Sequence, residues 1–228
     1  ESAQALFAEV FPLLSTDIIE DQIAYRNHER YVARLVRYQT AKASDSAILE
    51  IPKQPFRLTI ADRGTPDNLK LETINRQLPA DTEVEILVHA AGLNFIDVLN
   101  VLEMYPGEPP LGIECAGKIV AQGAGVTNLE IGDSVMAIAT GSFSQYVTVN
   151  ANLVVPVPKV LSFEEAATIP ESFLTAYWSL HHLAKITSGK RVLIHAGAGG
   201  VGQAAVQLAL QAGAEVFVTA SPSKWDSL

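Results

Sequence analysis

Residues 191–221 read RVLIHAGAGGVGQAAVQLALQAGAEVFVTAS, and this stretch decides the fold class. Val192-Leu193-Ile194 is a continuous apolar run, the pattern of a strand buried on both faces of a parallel sheet. It leads directly into Gly197-Ala198-Gly199-Gly200-Val201-Gly202, a G-x-G-x-x-G turn. Ala204, Ala205, Val206, Leu208 and Ala209 then predict a helix, and a second apolar strand follows at 215–220. The resulting β-α-β unit makes the chain α/β. Missing side chains at Gly197, Gly199, Gly200 and Gly202 let the backbone turn sharply and approach a pyrophosphate. The free amides around Val201, at the start of the helix, meet its charge. Dinucleotide binding is the expectation; a tight strand-to-helix turn without a ligand is the plainer alternative.

The second strand ends at Thr219-Ala220-Ser221. A cofactor with a free ribose 2′-hydroxyl is normally met there by Asp or Glu, and this strand end carries neither. Ser221 with Lys224 suits a 2′-phosphate, so NADPH is expected over NADH. Alternatively, Ser221 caps the next helix and Lys224 is solvated.

Composition sets the outer limits. The 228 residues carry 16 Lys+Arg against 25 Asp+Glu, a net charge of −9, and are 48% hydrophobic and 18% charged, which describes a globular chain. With no basic run, nucleic acid is not an expected partner. Cys115 is the single cysteine, which excludes an internal disulfide and a multi-cysteine metal site. Glu1 to Leu14 lacks a basic, then apolar leader pattern, and no uncharged apolar stretch is long enough to cross a bilayer. A cytoplasmic, non-membrane protein is expected.

Residues 1–20 place Leu6, Phe7, Val10 and Phe11 at helical spacing before Pro12 and read as a linker or docking helix. Ile23 to Tyr38 reads as a hairpin around Asn27-His28-Glu29, and residues 39–54 as a loop. Short extended runs follow at FRLTIAD, LKLETI, EVEILVHAAG, CAGKIVAQG and DSVMAIA, a partly closed β structure. One helix is predicted at about 95–103, with Val98, Leu99 and Leu102 at helical spacing and Pro106-Gly107 as its stop. After Pro158, Ser162-Phe163-Glu164-Glu165 reads as a capping box, and Pro170 opens a helix, FLTAYWSLHHLAKI, apolar enough to be largely buried.

HAGAGGVG, the FLTAYWSLHHLAKI helix, GLNFIDVLNVLEMYPGEPPLGIECAG and the ending ASPSKWDSL together closely resemble the enoyl reductase domains of modular polyketide synthases, zinc-free members of the medium-chain dehydrogenase/reductase superfamily. The resemblance runs from about Asp21 to Leu228. It implies a GroES-like substrate domain over 21–158 and the first part of a Rossmann domain over 159–228. The implied reaction is NADPH-dependent reduction of an α,β-unsaturated acyl thioester on an acyl carrier protein, with neighbouring synthase domains as partners. Where zinc-dependent relatives have Gly-His-Glu, this chain has Gly112-Ile113-Glu114, so metal-free chemistry is expected. Cys115, His181 and His182 are then packing or surface residues.

Hydride delivery to the β-carbon pushes charge onto the thioester oxygen, which calls for a hydrogen-bond donor there and a proton source for the α-carbon. By the resemblance, Asn94 of Asn-Phe-x-Asp lies beside the nicotinamide and Tyr105 is associated with α-protonation. Alternatively Asn94 caps the following helix and Tyr105 packs on a turn. Thr175 resembles a position that meets the cofactor near its nicotinamide end, although its hydroxyl equally suits a helix carbonyl. Asp97 is structural by its place one residue further along the helix.

Two departures flank the implied pocket, Ile96 for the usual Arg and Glu171-Ser172 for an apolar or Val-Thr pair. Asn-Phe-Ile-Asp is the form in related quinone oxidoreductases, which keeps an NADPH quinone reductase as one alternative. A reductase-like domain coupling hydride addition to cyclopropane closure is another. Only one β-α-β unit fits between Lys190 and Leu228, whereas a Rossmann domain has about six strands, so the Rossmann half is expected to be incomplete and to expose a sheet edge.

Overall fold

The computed structural model describes residues 23–26, 29–32 and 51–227. The chain divides into two compact units, 1–48 and 49–228. In the first, β1 (Ile23–Arg26) and β2 (Glu29–Val32) pair antiparallel with Ile23 opposite Val32, the inner part of the expected hairpin. The expected helix over residues 1–20 and most of the 39–54 loop lie outside the described residues.

The second unit opens with β3 (Phe56–Ile60) and β4 (Leu69–Thr73), an antiparallel pair. Then come β5 (Glu83–Ala91), α1 (Phe95–Val101), β6 (Glu114–Gln122), β7 (Ser134–Ile138), β8 (Tyr146–Asn150) and β9 (Val154–Pro156). The last five strands form one antiparallel sheet in the order β8-β5-β6-β7-β9. The β3–β4 pair joins its rim through Leu58 N–H to Phe143 C=O at 2.7 Å and Gln145 N–H to Phe56 C=O at 2.8 Å. Strands β8 and β9 were not anticipated from sequence, although YVTVN alternates at period two with Val147 and Val149 inward.

Alternation explains where the core sits. Val84 and Ile86 of β5 meet Cys115 and Ile119 of β6, Val135 and Ala137 of β7, and Val147 and Val149 of β8. Register shifts at Glu85/Ile86 and Val88/Ala90 bend β5 and help the sheet curl. Buried Glu85 is paired by Arg76, whose guanidinium also lies 4.1 Å from the Tyr146 ring centre.

α2 (Phe163–Ala166) begins with the expected capping box: Ser162 Oγ accepts from Glu165 N–H at 3.2 Å, and Glu165 Oε2 accepts from Ser162 N–H at 2.9 Å. Its Ala166 packs on Ala116 of β6, while Phe163 stacks on His89 of β5 with ring centres 4.5 Å apart. α3 (Pro170–Tyr177) starts at the proline and passes into a π-helical turn, Trp178–Leu183. β10 (Arg191–Ile194), α4 (Gly200–Gln211) and β11 (Glu215–Val218) form the β-α-β unit, with β10 and β11 parallel. Small residues let α4 approach closely: Ala204, Ala205 and Ala209 pack with Ala176 and Leu180 and against Ile194. No helix among the described residues is long and apolar enough to cross a membrane.

Three expectations are corrected. α1 ends at Val101, and its inner face carries Asp97 and Asn100 while Val98 and Leu102 face outward; the polar pair has buried partners, described below. The 173–186 stretch is not largely buried, since only Ala176 and Leu180 are inside and Leu174, Tyr177, Trp178 and Leu183 are exposed. β10 is not covered on both faces: Leu193 is 57% exposed and Phe217 of β11 49%. The exposures of the 173–186 stretch and of β10 and β11 lie on the β-α-β half, where two strands are the whole sheet among the described residues.

Candidate functional site

The glycine turn is built as its sequence requires. Gly199 caps α4 in extended geometry, and Gln203 N–H to Gly199 C=O at 2.8 Å closes the first helical turn. The amides of Gly200, Val201 and Gly202 precede that first intrahelical bond and point along the helix start. A Cβ on Gly202 would lie 2.3 Å from Ala196 C=O and 2.7 Å from Gly197 Cα, so only glycine lets the strand end, turn and helix pack this closely. Gly197 N–H donates to Thr219 C=O at 3.0 Å, and His195 Nδ1 lies 3.0 Å from Thr219 Oγ1, tying the β10 and β11 ends together. These features fit a dinucleotide pyrophosphate. His195 was not singled out from sequence, because its partner lies 24 residues away on the neighbouring strand.

Beyond β11, Ser221 Oγ is 3.5 Å from Ser223 Oγ, and Lys224 N–H donates to Ser221 C=O at 2.9 Å. Both side chains are exposed, and Trp225 Nε1–H fastens this turn to Ala220 C=O at 3.0 Å. Thr175 is exposed on α3, its hydroxyl 3.5 Å from Glu171 Oε1.

Asn94 is the N-cap of α1 and forms a capping box with Asp97, and its Nδ2–H donates to Glu114 Oε1 at 2.7 Å. Asp97 is structural, as expected, with one carboxylate oxygen accepting from Asn94 N–H at 3.0 Å and the other from Gly112 N–H at 2.8 Å. Glu114, buried at the start of β6, accepts from Glu171 N–H at 2.8 Å through its second oxygen. That amide is in the first turn of α3, where carboxylates are favoured by free N–H groups and the helix dipole. Ser172 follows, its hydroxyl 3.1 Å from where a Cβ on Gly200 would stand. Asn94, the α3 start and the glycine turn are thus brought together through Glu114, a residue sequence reasoning used only as a marker of the absent histidine.

Tyr105 is half-buried beyond the other end of α1. Arg63 holds its loop: the guanidinium donates to Asn100 C=O at 2.9 Å, Asn100 Oδ1 at 2.6 Å, Tyr105 C=O at 3.0 Å and Gly107 C=O at 2.6 Å. Asn100 Nδ2–H reaches Pro109 C=O at 2.7 Å. A cavity of about 320 Å³ lies between β3 and this loop, lined by Arg63, Asn100, Glu103 and Leu111 but not by Asn94 or the glycine turn. Cys115 is a buried packing residue, its thiol pushed up to about 12 by burial and then by the Glu114 charge. His181 and His182 stack on Tyr177 and Trp178. Among the described residues no cluster of three or more His, Cys, Asp or Glu is disposed to hold a metal ion.

Residues 80–159 match the alcohol dehydrogenase GroES-like domain family. The chain is 40% identical over 211 residues to the mycoketide-CoA synthase of Mycobacterium tuberculosis (strain ATCC 25618 / H37Rv), covering 92% of this chain and 5% of that protein. Among solved structures, the CurK enoyl reductase superposes with a TM-score of 0.73 at 48% identity, over 76% of this chain and 56% of that one. The CurF ER cyclopropanase from the curacin A biosynthetic pathway follows at 0.70 and 41%, with the same coverage. Escherichia coli quinone oxidoreductase complexed with NADPH gives 0.68 and 32%, over 75% of this chain and 55% of that one.

A GroES-like sheet followed by a dinucleotide-type β-α-β unit places the chain in the medium-chain dehydrogenase/reductase superfamily. Within it, the chain belongs with the enoyl reductase-like domains of polyketide synthases. It spans a little over half of the solved reductase chains, which fits an incomplete Rossmann half.

Proposed function

We propose that this chain is the substrate domain and the opening cofactor-binding unit of an NADPH-dependent enoyl reductase, acting on an α,β-unsaturated acyl thioester carried by an acyl carrier protein. The division falls at about Pro158, with 21–158 receiving substrate and 159–228 receiving cofactor. The observation that carries the reading is the continuous contact from Asn94 through Glu114 and the α3 start to the glycine turn.

Amides of Gly200, Val201 and Gly202 would hold the pyrophosphate, Ser221 and Lys224 the 2′-phosphate, and Thr175 the nicotinamide end. NADPH supplies a hydride when bound. Asn94 keeps a second N–H beyond the one given to Glu114, and that N–H stabilises charge on the thioester oxygen as the β-carbon is reduced. Tyr105 gives its hydroxyl proton to the α-carbon, completing the saturated thioester.

The similarity to the CurF ER cyclopropanase, together with the departures at Ile96 and Glu171-Ser172 that flank the implied pocket, favours one second reading. With a chloride on the γ-carbon, the enolate left by hydride addition at the β-carbon would use its α-carbon electron pair to make the Cα–Cγ bond as chloride leaves.

The test follows NADPH oxidation by the full-length protein with a crotonyl thioester, a γ-chloro enoyl thioester and a quinone, products scored by mass. Saturated crotonyl product supports the proposal, and loss of α-configuration control by Tyr105→Phe on an α-methyl crotonyl thioester, read by chiral separation of the product, supports the proton assignment. Ring product from the chloro substrate favours the second reading, while turnover of quinone alone overturns both.

A further inference from the structure

Glu114 stands out among the buried carboxylates by what it joins. Glu85 is paired with Arg76, and Asp97 accepts from the backbone amides of Asn94 and Gly112, 3 and 15 residues away. Glu114 instead receives one side-chain amide from Asn94 at 2.7 Å and one backbone amide from Glu171 at 2.8 Å, 20 and 57 residues away in sequence. The rest of the residue is equally constrained. Its carbonyl accepts from Ser142 Oγ at 2.9 Å and Gly92 N–H at 3.2 Å, and a Cβ on Gly92 would lie 2.3 Å from Oε1. A side chain 3% exposed and held at both ends has no freedom to follow Asn94 if Asn94 rotates; Asn94 must instead conform to it.

That bond also fixes which way Asn94 faces. A carboxylate accepts only, so it selects the NH₂ edge of the asparagine and turns Oδ1 away. The same carboxylate grips the helix whose next residue, Ser172, lies over Gly200 of the cofactor turn.

We infer that Glu114 is a positioning residue of the reaction: it sets the orientation of the Asn94 amide and keys it to the start of α3. This rests on the function proposed above, since it gives Asn94 a part in the chemistry.

The test is a double-mutant cycle in the full-length protein with Glu114→Gln, Asn94→Ala and their combination, reading kcat at saturating crotonyl thioester and NADPH alongside Tm. Glutamine keeps the shape but turns one acceptor into a donor, so it cannot receive both amides. A charge-assisted bond of this kind predicts that Glu114→Gln alone lowers kcat roughly tenfold or more. In the Asn94→Ala background the same change should alter kcat less than about twofold, because the group through which Glu114 acts is gone. Losses that add across the cycle overturn the inference, as does a drop in Tm with kcat unchanged. Absence of turnover in the unsubstituted protein overturns the function itself, and is distinguished from the other outcomes before any variant is compared.

Discussion

Asn94 Nδ2 donates to Glu114 Oε1 at 2.7 Å, and Gly92 is pressed against the same oxygen so closely that a methyl group would stand 2.3 Å from it. The glycine is therefore part of the clamp. Buried and bonded at both oxygens, the carboxylate cannot retreat from a new Cβ without releasing Asn94 or Glu171. Gly92→Ala is expected to lower unfolding free energy by about 1–3 kcal/mol, the usual cost of forcing atoms into a packed site. Urea midpoints check the stability, and kcat should fall with it. An unchanged midpoint would mean the carboxylate has room that the packing does not show.

The glycine turn offers an internal comparison. At Gly202 a Cβ would meet backbone, Ala196 C=O at 2.3 Å and Gly197 Cα at 2.7 Å, whereas at Gly199 the nearest atom is Ala196 C=O at 3.3 Å. Ala196 already has φ of +53°, so the turn has little slack to absorb a shift. Gly202→Ala should weaken NADPH binding at least about tenfold, equivalent to roughly 1.4 kcal/mol, and Gly199→Ala distinctly less. Fluorescence titration of both variants in the full-length protein, with circular dichroism to confirm folding, settles the order. Equal losses would show that the contacts at Gly202 are not what matters.

The parts legible in the sequence are those that depend on near neighbours. Val192 to Gly202 specifies a strand, a turn and a helix start within 11 residues, and Ser162 with Glu165 specifies a helix start within four. Alternation likewise placed β3 through β7. What stayed hidden joins distant segments: Arg63 reaches Asn100, 37 residues on, and Glu114 reaches Glu171, 57 residues on. Neither has a local pattern. Partners distant in sequence also set the buried face of α1, where Asp97 and Asn100 join Val101 because Gly112 N–H and Arg63 draw them inward. Leu193 and Phe217 read as two-sided core because a parallel strand usually has cover on both faces, and here they are partly exposed.

Arg63 should govern the Tyr105 loop. Its guanidinium satisfies three carbonyls and the Asn100 amide oxygen at once, a fork that a lysine ammonium does not reproduce. Both Arg63→Met and Arg63→Lys are expected to destabilise by about 1–3 kcal/mol. Hydrogen exchange should quicken at the amides of residues 102–107 more than in the β5–β6 core. Uniform exchange across both regions would show that Arg63 contributes general stability and does not organise the loop.

Cys115 yields a prediction in pH. Its thiol, ordinarily near 9, is pushed up to about 12 chiefly by burial and further by Glu114. In the unfolded chain the thiol ionises from about pH 9 upward while the folded thiol stays protonated, so between 9 and 12 the unfolded state holds fewer protons and stability falls as pH rises. Below 9 the group has no such effect. Cys115→Ala should lose less stability than the unsubstituted protein on going from pH 8 to about 10.5, by urea midpoints. At pH 8 a thiol-specific alkylating reagent should leave the folded protein unmodified and react fully in denaturant. Rapid labelling of the folded protein would contradict both the burial and the raised pKa.

The strand end at Thr219-Ala220-Ser221 predicts which reduced cofactor is preferred. No carboxylate stands there to accept from a ribose 2′-hydroxyl, and the turn that follows returns Lys224 N–H to Ser221 C=O at 2.9 Å, keeping the two residues in one tight turn. A lysine charge in that turn attracts a 2′-phosphate and is indifferent to a 2′-hydroxyl, so its removal should act on one cofactor only. Lys224→Ala is expected to raise the Kd for NADPH about tenfold in low salt while leaving that for NADH within about twofold. Added salt should weaken NADPH binding in the unsubstituted protein and narrow the gap to the variant, because the interaction is exposed and screened. Parallel titrations with the two cofactors measure all of this, and an equal loss of affinity for both would remove Lys224 from the 2′-phosphate.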